Sequence, residues 1–187
     1  IDTLKKHQNN FKKPIFWDCL ELVKDNYLLL TLHRPSNVDG KIKLELFLEE
    51  ILKHSHKVPI IFPVHPRTAK VLSELNLDAE RLHLIEPLGY LEFNYLAENA
   101  KAVITDSGGI TEETTVMGVP CITLRDNTER PETVTIGTNE LISTNPSAIQ
   151  PALEKLFKGE WKKGGIPEMW DGQTAARIIK IIKHLNL

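Results

Sequence analysis

The sequence predicts an α/β domain built on a parallel sheet of about six strands with helices on both faces. Three observations carry that expectation. Short β-branched apolar runs alternate with longer amphipathic stretches along most of the chain, the order of repeated strand, loop and helix units. Each run is close to continuously apolar, as strands are when helices cover both faces of the sheet. At 187 residues, the chain has the length of one domain with a sizeable core, and no repeat, low-complexity tract or long polar linker divides it.

The elements follow in order. A polar helix candidate runs over Asp2 to Phe11, and the segment around Pro14 to Val23 has no assignable pattern, so residues 1–25 form an entry segment. Tyr27-Leu-Leu-Leu-Thr-Leu32 is the first strand. It leads into the polar turn His33-Arg-Pro-Ser-Asn37, and then into Leu44, Phe47, Leu48, Ile51 and Leu52 at helical spacing. The unit recurs as Pro59 to Val64 with Arg67 to Leu75, Leu82 to Ile85 with Tyr90 to Asn99, and Ala102 to Thr105 with Ile110 to Met117. A fifth run, Pro120 to Leu124, precedes Arg130-Pro131-Glu132, where proline suits the first helical position and glutamate the positive helix start. Glu140 to Ser143 is the sixth strand candidate, Pro146 opens a helix, and a last helix within residues 172–187 carries Ala175, Ile178, Ile179 and Ile182 on one face. The whole of residues 1–187 reads as a single Rossmann-like domain.

Composition narrows the function classes. The formal net charge of −2 is too balanced for an electrostatic hold on nucleic acid. Hydrophobic residues at 41% and charged ones at 26% exclude a disordered chain. The longest apolar runs fall far short of the roughly 20 residues that span a bilayer, and no basic segment followed by an apolar one opens the chain, so neither a membrane span nor a signal peptide is expected. Two cysteines, Cys19 and Cys121, lack a CxxC partner or a metal-ligand spacing with histidine, which fits a reducing, cytoplasmic setting without a metal. Cys121, inside an apolar run, reads as a small buried hydrophobe.

In an open parallel sheet, ligands bind outside the carboxyl ends of the strands, so the loops there are the places to search. Asp106-Ser-Gly-Gly-Ile-Thr-Glu-Glu113 is the most informative. Gly108 and Gly109 admit close approach of a ligand, Ser107 adds a hydroxyl, and the first-turn amides of the following helix make a cradle for a phosphate or diphosphate. Glu113, one turn in, is placed to reach vicinal hydroxyls such as those of a ribose. The alternative is that Asp106 or Ser107 caps the helix while Glu112 and Glu113 complement its dipole. His33 and Arg34 stand at the mouth of the first strand and His65 in the equivalent place after the second, with proton-exchange and anion-binding chemistry on one side and loop capping on the other. Arg125 or Arg130, in Arg125-Asp-Asn-Thr-Glu-Arg-Pro131, offers a cation to a phosphate, and a surface ion-pair cluster fits the spacing equally.

Five strings in one order, Leu30-Thr-Leu-His-Arg-Pro-Ser-Asn-Val38, Phe62-Pro-Val-His-Pro66, Glu86-Pro-Leu-Gly-Tyr90, Thr105-Asp-Ser-Gly-Gly-Ile-Thr-Glu-Glu113 and Arg125-Asp-Asn-Thr-Glu-Arg-Pro-Glu132, resemble the non-hydrolysing UDP-N-acetylglucosamine 2-epimerases. The resemblance covers the C-terminal half of such an enzyme. It implies one domain of a two-domain, glycosyltransferase-B-like fold, with the N-terminal catalytic domain outside these residues. It further implies that Ser107, Gly108 and Gly109 bind the diphosphate, Glu113 the ribose, Phe93 the uracil through its backbone and Arg130 the nucleotide, with His33 as the active-site histidine near the glycosidic phosphate. Arg34 and His65 match positions that line the cleft or a regulatory nucleotide-sugar site. Leu88 and Thr111 depart from polar residues frequent in the family, which bears on substrate detail.

The implied reaction interconverts UDP-GlcNAc and UDP-ManNAc by eliminating UDP and adding it back with inversion at C2, without a cofactor. The acid/base carboxylates for C2 are implied on the other domain, so this chain alone is expected to bind UDP or a UDP-sugar and not to epimerise. A homodimer is implied for the full-length protein and left open for this chain. A nucleotide-sugar-binding domain of a two-domain glycosyltransferase, and a non-catalytic nucleotide-binding module, are the competing readings.

Overall fold

The computed structural model describes residues 1–64, 66–75 and 80–185. Six strands form one sheet: β1 (Leu28–Thr31), β2 (Ile60–Pro63), β3 (Leu82–Ile85), β4 (Ala102–Thr105), β5 (Cys121–Thr123) and β6 (Asn139–Leu141). All neighbouring pairs are parallel, in the order β3-β2-β1-β4-β5-β6. The expected strand count and direction are therefore those observed. The helices are α1 (Asp2–His7), α2 (Phe16–Cys19), α3 (Pro35–Val38), α4 (Lys41–His54), α5 (Pro66–Leu72), α6 (Tyr90–Asn99), α7 (Gly108–Met117), α8 (Pro131–Thr135), α9 (Ile149–Phe157) and α10 (Thr174–His184).

Alternate residues of each central strand face opposite layers, which is why the strands read as unbroken apolar runs. Leu28, Leu30, Ile60, Phe62, Ala102 and Ile104 pack against Leu44, Phe47, Leu48 and Ile51 of α4 and against Ile149, Leu153 and Leu156 of α9. On the other face Leu29, Ile61 and Val103 meet Leu96 and Ala97 of α6 and Trp17 of the entry segment. The unassigned segment around Pro14 to Val23 thus has a place: α2 lays Trp17 edge-on against Tyr27 and Tyr95, with ring centroids 5.5 and 5.3 Å apart. Its signal is the aromatic pair Phe16-Trp17 in a helix of four residues, too short for a periodic pattern.

The first and last helices are tied together, because the Asp2 carboxylate accepts from the Thr174 and Ala175 amides at 3.2 and 2.8 Å. Those bonds cap the start of α10 and hold the Asp2 carboxyl below the usual range. The expected apolar face of α10 is present in sequence but stays uncovered, with Ile178, Ile179, Ile181 and Ile182 all about half exposed. Cys121 is buried on β5 as expected, and burial pushes its thiol up to about 11. Among the described residues, no helix is long and apolar enough to cross a membrane.

A buried polar chain fixes the loop after β5. Thr123 donates to the Asn139 side-chain oxygen at 2.6 Å, the Asn139 amide donates to Thr133 at 3.1 Å, and Thr133 donates to the Arg130 carbonyl at 2.8 Å. Gly137 closes the same corner, since a Cβ there would lie 2.4 Å from the Thr115 hydroxyl and 2.6 Å from the Thr133 carbonyl. Gly137→Ala is expected to destabilise the fold by about 1–3 kcal/mol through overpacking. Thermal unfolding checks this, and an unchanged midpoint would show that the α7 and α8 corner is loose.

Candidate functional site

The strand order places a switch point between β1 and β4, from which the chain winds outward in both directions. A crevice opens there between the loops that leave the two strands. One loop carries His33 and Arg34, and the other carries Asp106 and Ser107. The two are locked to each other through Asp106, which is fully buried. Its carboxylate accepts from the His33 amide at 3.2 Å, the Arg34 amide at 3.0 Å and the Asn37 side-chain amide at 3.1 Å. The Arg34 Nε donates to the Asp106 carbonyl at 3.0 Å. His33 Nδ1 lies 2.9 Å from the same carboxylate, so that nitrogen carries a proton and Nε2 is left clear of the contact.

Asp106 is therefore not the helix cap that its place before Ser-Gly-Gly allows. Ser107 is the residue that begins α7, in extended conformation, and no side chain caps the first turn. The amides of Gly108, Gly109 and Ile110 belong to the turn that has no partner within the helix, and together with the helix dipole they form an anion-seeking surface. The capping alternative for this motif is set aside by that geometry.

Beside this turn, an open cleft of about 500 Å³ runs between α6 and α7, lined by Leu88, Tyr90, Phe93, Asn94, Ser107, Gly109, Ile110 and Glu113. Four residues singled out from sequence, Phe93, Ser107, Gly109 and Glu113, thus line one open cleft of the size that takes a small ligand. Tyr90 donates to Glu113 Oε1 at 3.0 Å. Partial burial raises the Glu113 carboxyl despite that bond, and burial beside Glu113 pushes the Tyr90 hydroxyl up to about 12. Tyr90 consequently stays a donor and holds the carboxylate in a fixed place with its other oxygen available. Sequence reasoning assigned no role to Tyr90; the signal was its position at the end of Glu86-Pro-Leu-Gly-Tyr90, which only the packing of α6 on α7 brings to Glu113.

The remaining expected residues fall around this cleft. Phe93 is half-buried in its wall, and its amide donates to the Gly89 carbonyl at 2.9 Å. Arg130 is exposed and its Nε donates to Glu112 on α7 at 2.7 Å; it borders the first turns of α7 without lining the cleft. Arg125, in contrast, is buried. His65 lies outside the described residues. Among the described residues, no cluster of histidine, cysteine or carboxylate side chains could hold a metal ion.

Comparison with known proteins bears on the same residues. The family model described as UDP-N-acetylglucosamine 2-epimerase matches residues 1–183. The chain belongs to that family. The UDP-N-acetylglucosamine 2-epimerase of Methanocaldococcus jannaschii is 40% identical over 98% of this chain and 51% of its own length. The crystal structure of the M. jannaschii enzyme in complex with UDP-GlcNAc and UDP superposes with a TM-score of 0.82 at 39% identity, covering 98% of this chain and 52% of that one. The Neisseria meningitidis epimerase bound to UDP-GlcNAc gives 0.81 at 30% identity, covering 98% of this chain and 53% of that one. A Pseudomonas aeruginosa relative, 35% identical over 87% of this chain and 46% of its own length, is a UDP-2,3-diacetamido-2,3-dideoxy-D-glucuronate 2-epimerase. The chain spans about half the length of the relatives it matches, and its parallel six-stranded fold is shared with the M. jannaschii and N. meningitidis structures at the TM-scores given.

Proposed function

We propose that this chain is the UDP-binding half of a nucleotide-sugar 2-epimerase. The observation that carries the reading is the uncapped first turn of α7 opening into the cleft that holds Phe93 and Glu113. The diphosphate sits on the amides of Gly108, Gly109 and Ile110 with the Ser107 hydroxyl, where the helix dipole favours negative charge. The ribose hydroxyls donate to Glu113, whose carboxylate Tyr90 orients. Uracil lies against Phe93; because the Phe93 amide is committed to Gly89, the base meets the ring in preference to that N–H. Arg130 borders the diphosphate from the loop after β5.

In the proposed reaction the C1–O bond to UDP breaks as the C2 proton is removed, giving UDP and a glycal-like sugar with a C1–C2 double bond. UDP oxygen then returns to C1 while a proton adds to the opposite face of C2. This chain stabilises the departing diphosphate, where charge develops, and His33, held through Nδ1 by Asp106, donates from Nε2 near the glycosidic phosphate when its ring is doubly protonated. The carboxylate that removes the C2 proton belongs to the part of the full-length protein that pairs with this domain, and the chain alone binds nucleotide without epimerising it. The relatives' substrates share UDP and a 2-acetamido sugar and differ elsewhere on the ring, which fits a half-site that reads the nucleotide.

Calorimetric titration with UDP, UMP and uridine tests the reading. UDP is expected to bind more tightly than UMP, and Glu113→Gln to weaken both by about tenfold or more through loss of charged acceptors for the ribose. The raised carboxyl gives a second sign to check. A group whose folded value is raised contributes stability below its unfolded value and loses it as pH rises through the folded one, so at neutral pH the charged Glu113 weighs against the fold. Glu113→Gln is therefore expected to unfold at the same temperature or higher while binding UDP less well. A lower midpoint with unchanged UDP affinity would make Glu113 a structural residue.

A further inference from the structure

Arg125 is a buried cation with one side unused. Its side chain is 6% exposed; Nη2 donates to Glu129 Oε1 at 2.8 Å and reaches Asn127 Oδ1 at 3.4 Å, whereas Nη1 has no hydrogen-bond partner. A buried charged donor without a partner is costly, so its persistence needs a reason. Nη1 is aimed at the start of α7: a Cβ built on Gly108 would lie 3.4 Å from it, and 3.4 Å from Glu129 Oε2 as well. Guanidinium and carboxylate therefore share one small space over a helix turn that no side chain caps. The two ends of the pair differ sharply, because the Glu129 side chain is 71% exposed. Arg125 beside it holds the Glu129 carboxyl below the usual range, which keeps it an anion.

We infer that Arg125 is the buried cation of the anion seat at the start of α7, and that Glu129 is a resident counter-anion which a ligand phosphate displaces. The inference rests on the nucleotide reading above and deepens it. Burial fixes the guanidinium in place, while the glutamate, on an exposed loop, can turn out into water. Only the Glu129 end of the pair is in water and free to leave, and a diphosphate brings more charge and more acceptor oxygens to both Nη1 and the α7 amides. The loop from Arg125 to Pro131 thus presents its own carboxylate to the seat until phosphate arrives. Arg130, paired with Glu112, is the separate surface ion pair of the same loop.

The test is calorimetry with inorganic pyrophosphate, UDP and uridine on the unaltered chain, Glu129→Gln, Arg125→Met and Arg125→Lys. Glu129→Gln is expected to bind pyrophosphate and UDP roughly two- to fivefold more tightly or better, because no resident carboxylate has to be displaced from Arg125 first, with uridine unchanged. Arg125→Met is expected to lose at least about tenfold for both phosphates, with Arg125→Lys between. Circular dichroism checks that the arginine variants fold. Glu129→Gln changes only an exposed side chain and decides the matter even if they do not. If the unaltered chain binds UDP and Glu129→Gln binds it equally or less well, the inference is overturned and the nucleotide reading stands. If the unaltered chain binds UDP no better than uridine, the nucleotide reading fails and the inference with it.

Discussion

Asp106→Ala lowers the stability of this domain by about 3–5 kcal/mol, the cost of removing one side of a buried charged network. For a chain of this length that corresponds to a fall of roughly 10 °C in the unfolding midpoint. The physical reason is the number of donors that converge on one carboxylate. The amides of His33 and Arg34 and the side chain of Asn37 all lose their acceptor, and Asn37 is fully buried with only the Leu124 carbonyl at 3.3 Å to fall back on. The loops after β1 and β4 then keep the Arg34 Nε bond to the main-chain carbonyl of position 106 but lose every bond to the carboxylate at the switch point. Asp106→Asn separates the structural role from the positioning one, because it keeps shape but presents a donor to some of the same donors. It is expected to cost less and still to release His33 from the Nδ1-protonated form, which nitrogen-15 shifts of the imidazole report directly. A midpoint within about 1 kcal/mol of the unaltered chain for Asp106→Ala would show that the network contributes little.

Gly109→Ala moves stability and binding in opposite directions. Nothing lies within 4 Å of a Cβ built at Gly109, and the backbone there is ordinary helix, so alanine fits the fold without strain. Replacing a helical glycine with alanine is expected to raise stability by up to about 0.5–1 kcal/mol. The open space that receives the methyl is the cleft itself, since Gly109 is part of its wall. A methyl there keeps a diphosphate from reaching the first-turn amides, and UDP affinity is expected to fall by about a hundredfold, the scale of losing more than one charge-assisted hydrogen bond. Uridine, which does not use the amides, should bind as before. A stabilised variant that binds UDP normally would mean that the ligand does not sit on this turn.

Much of this could be read from the chain, and the reason is burial. Five apolar runs mark β1 to β5: the expected bounds coincide with β3 and β4 and pass β1, β2 and β5 by one residue at each end. The sixth strand, Asn139–Leu141, begins one residue before the expected Glu140 and is polar in part. The loop Ser107-Gly108-Gly109 was legible because glycines after a strand and before a helix serve few purposes. What escaped is made by partners distant in sequence. Asp106 sits where a helix cap would sit, and nothing local distinguishes a cap from an acceptor for Arg34, which lies 72 residues away. The Tyr90 bond to Glu113 and the burial of Arg125 likewise exist only after α6 and the β5 loop have packed on α7. In α10 the periodicity marks an apolar face, which the structure leaves half exposed, and a pattern in one helix cannot name what covers it.

The central claim is that UDP lies along the start of α7 and in the cleft between α6 and α7. Amide chemical-shift mapping of the nitrogen-15-labelled chain during UDP titration tests it most directly. The account predicts saturable shifts centred on Ser107 to Glu113, with further shifts at Phe93 and Arg130 and the largest displacement at the Gly108 and Gly109 amides. Saturable shifts that leave those amides unmoved and gather elsewhere, for example around Gly118 and Gly164, would contradict it.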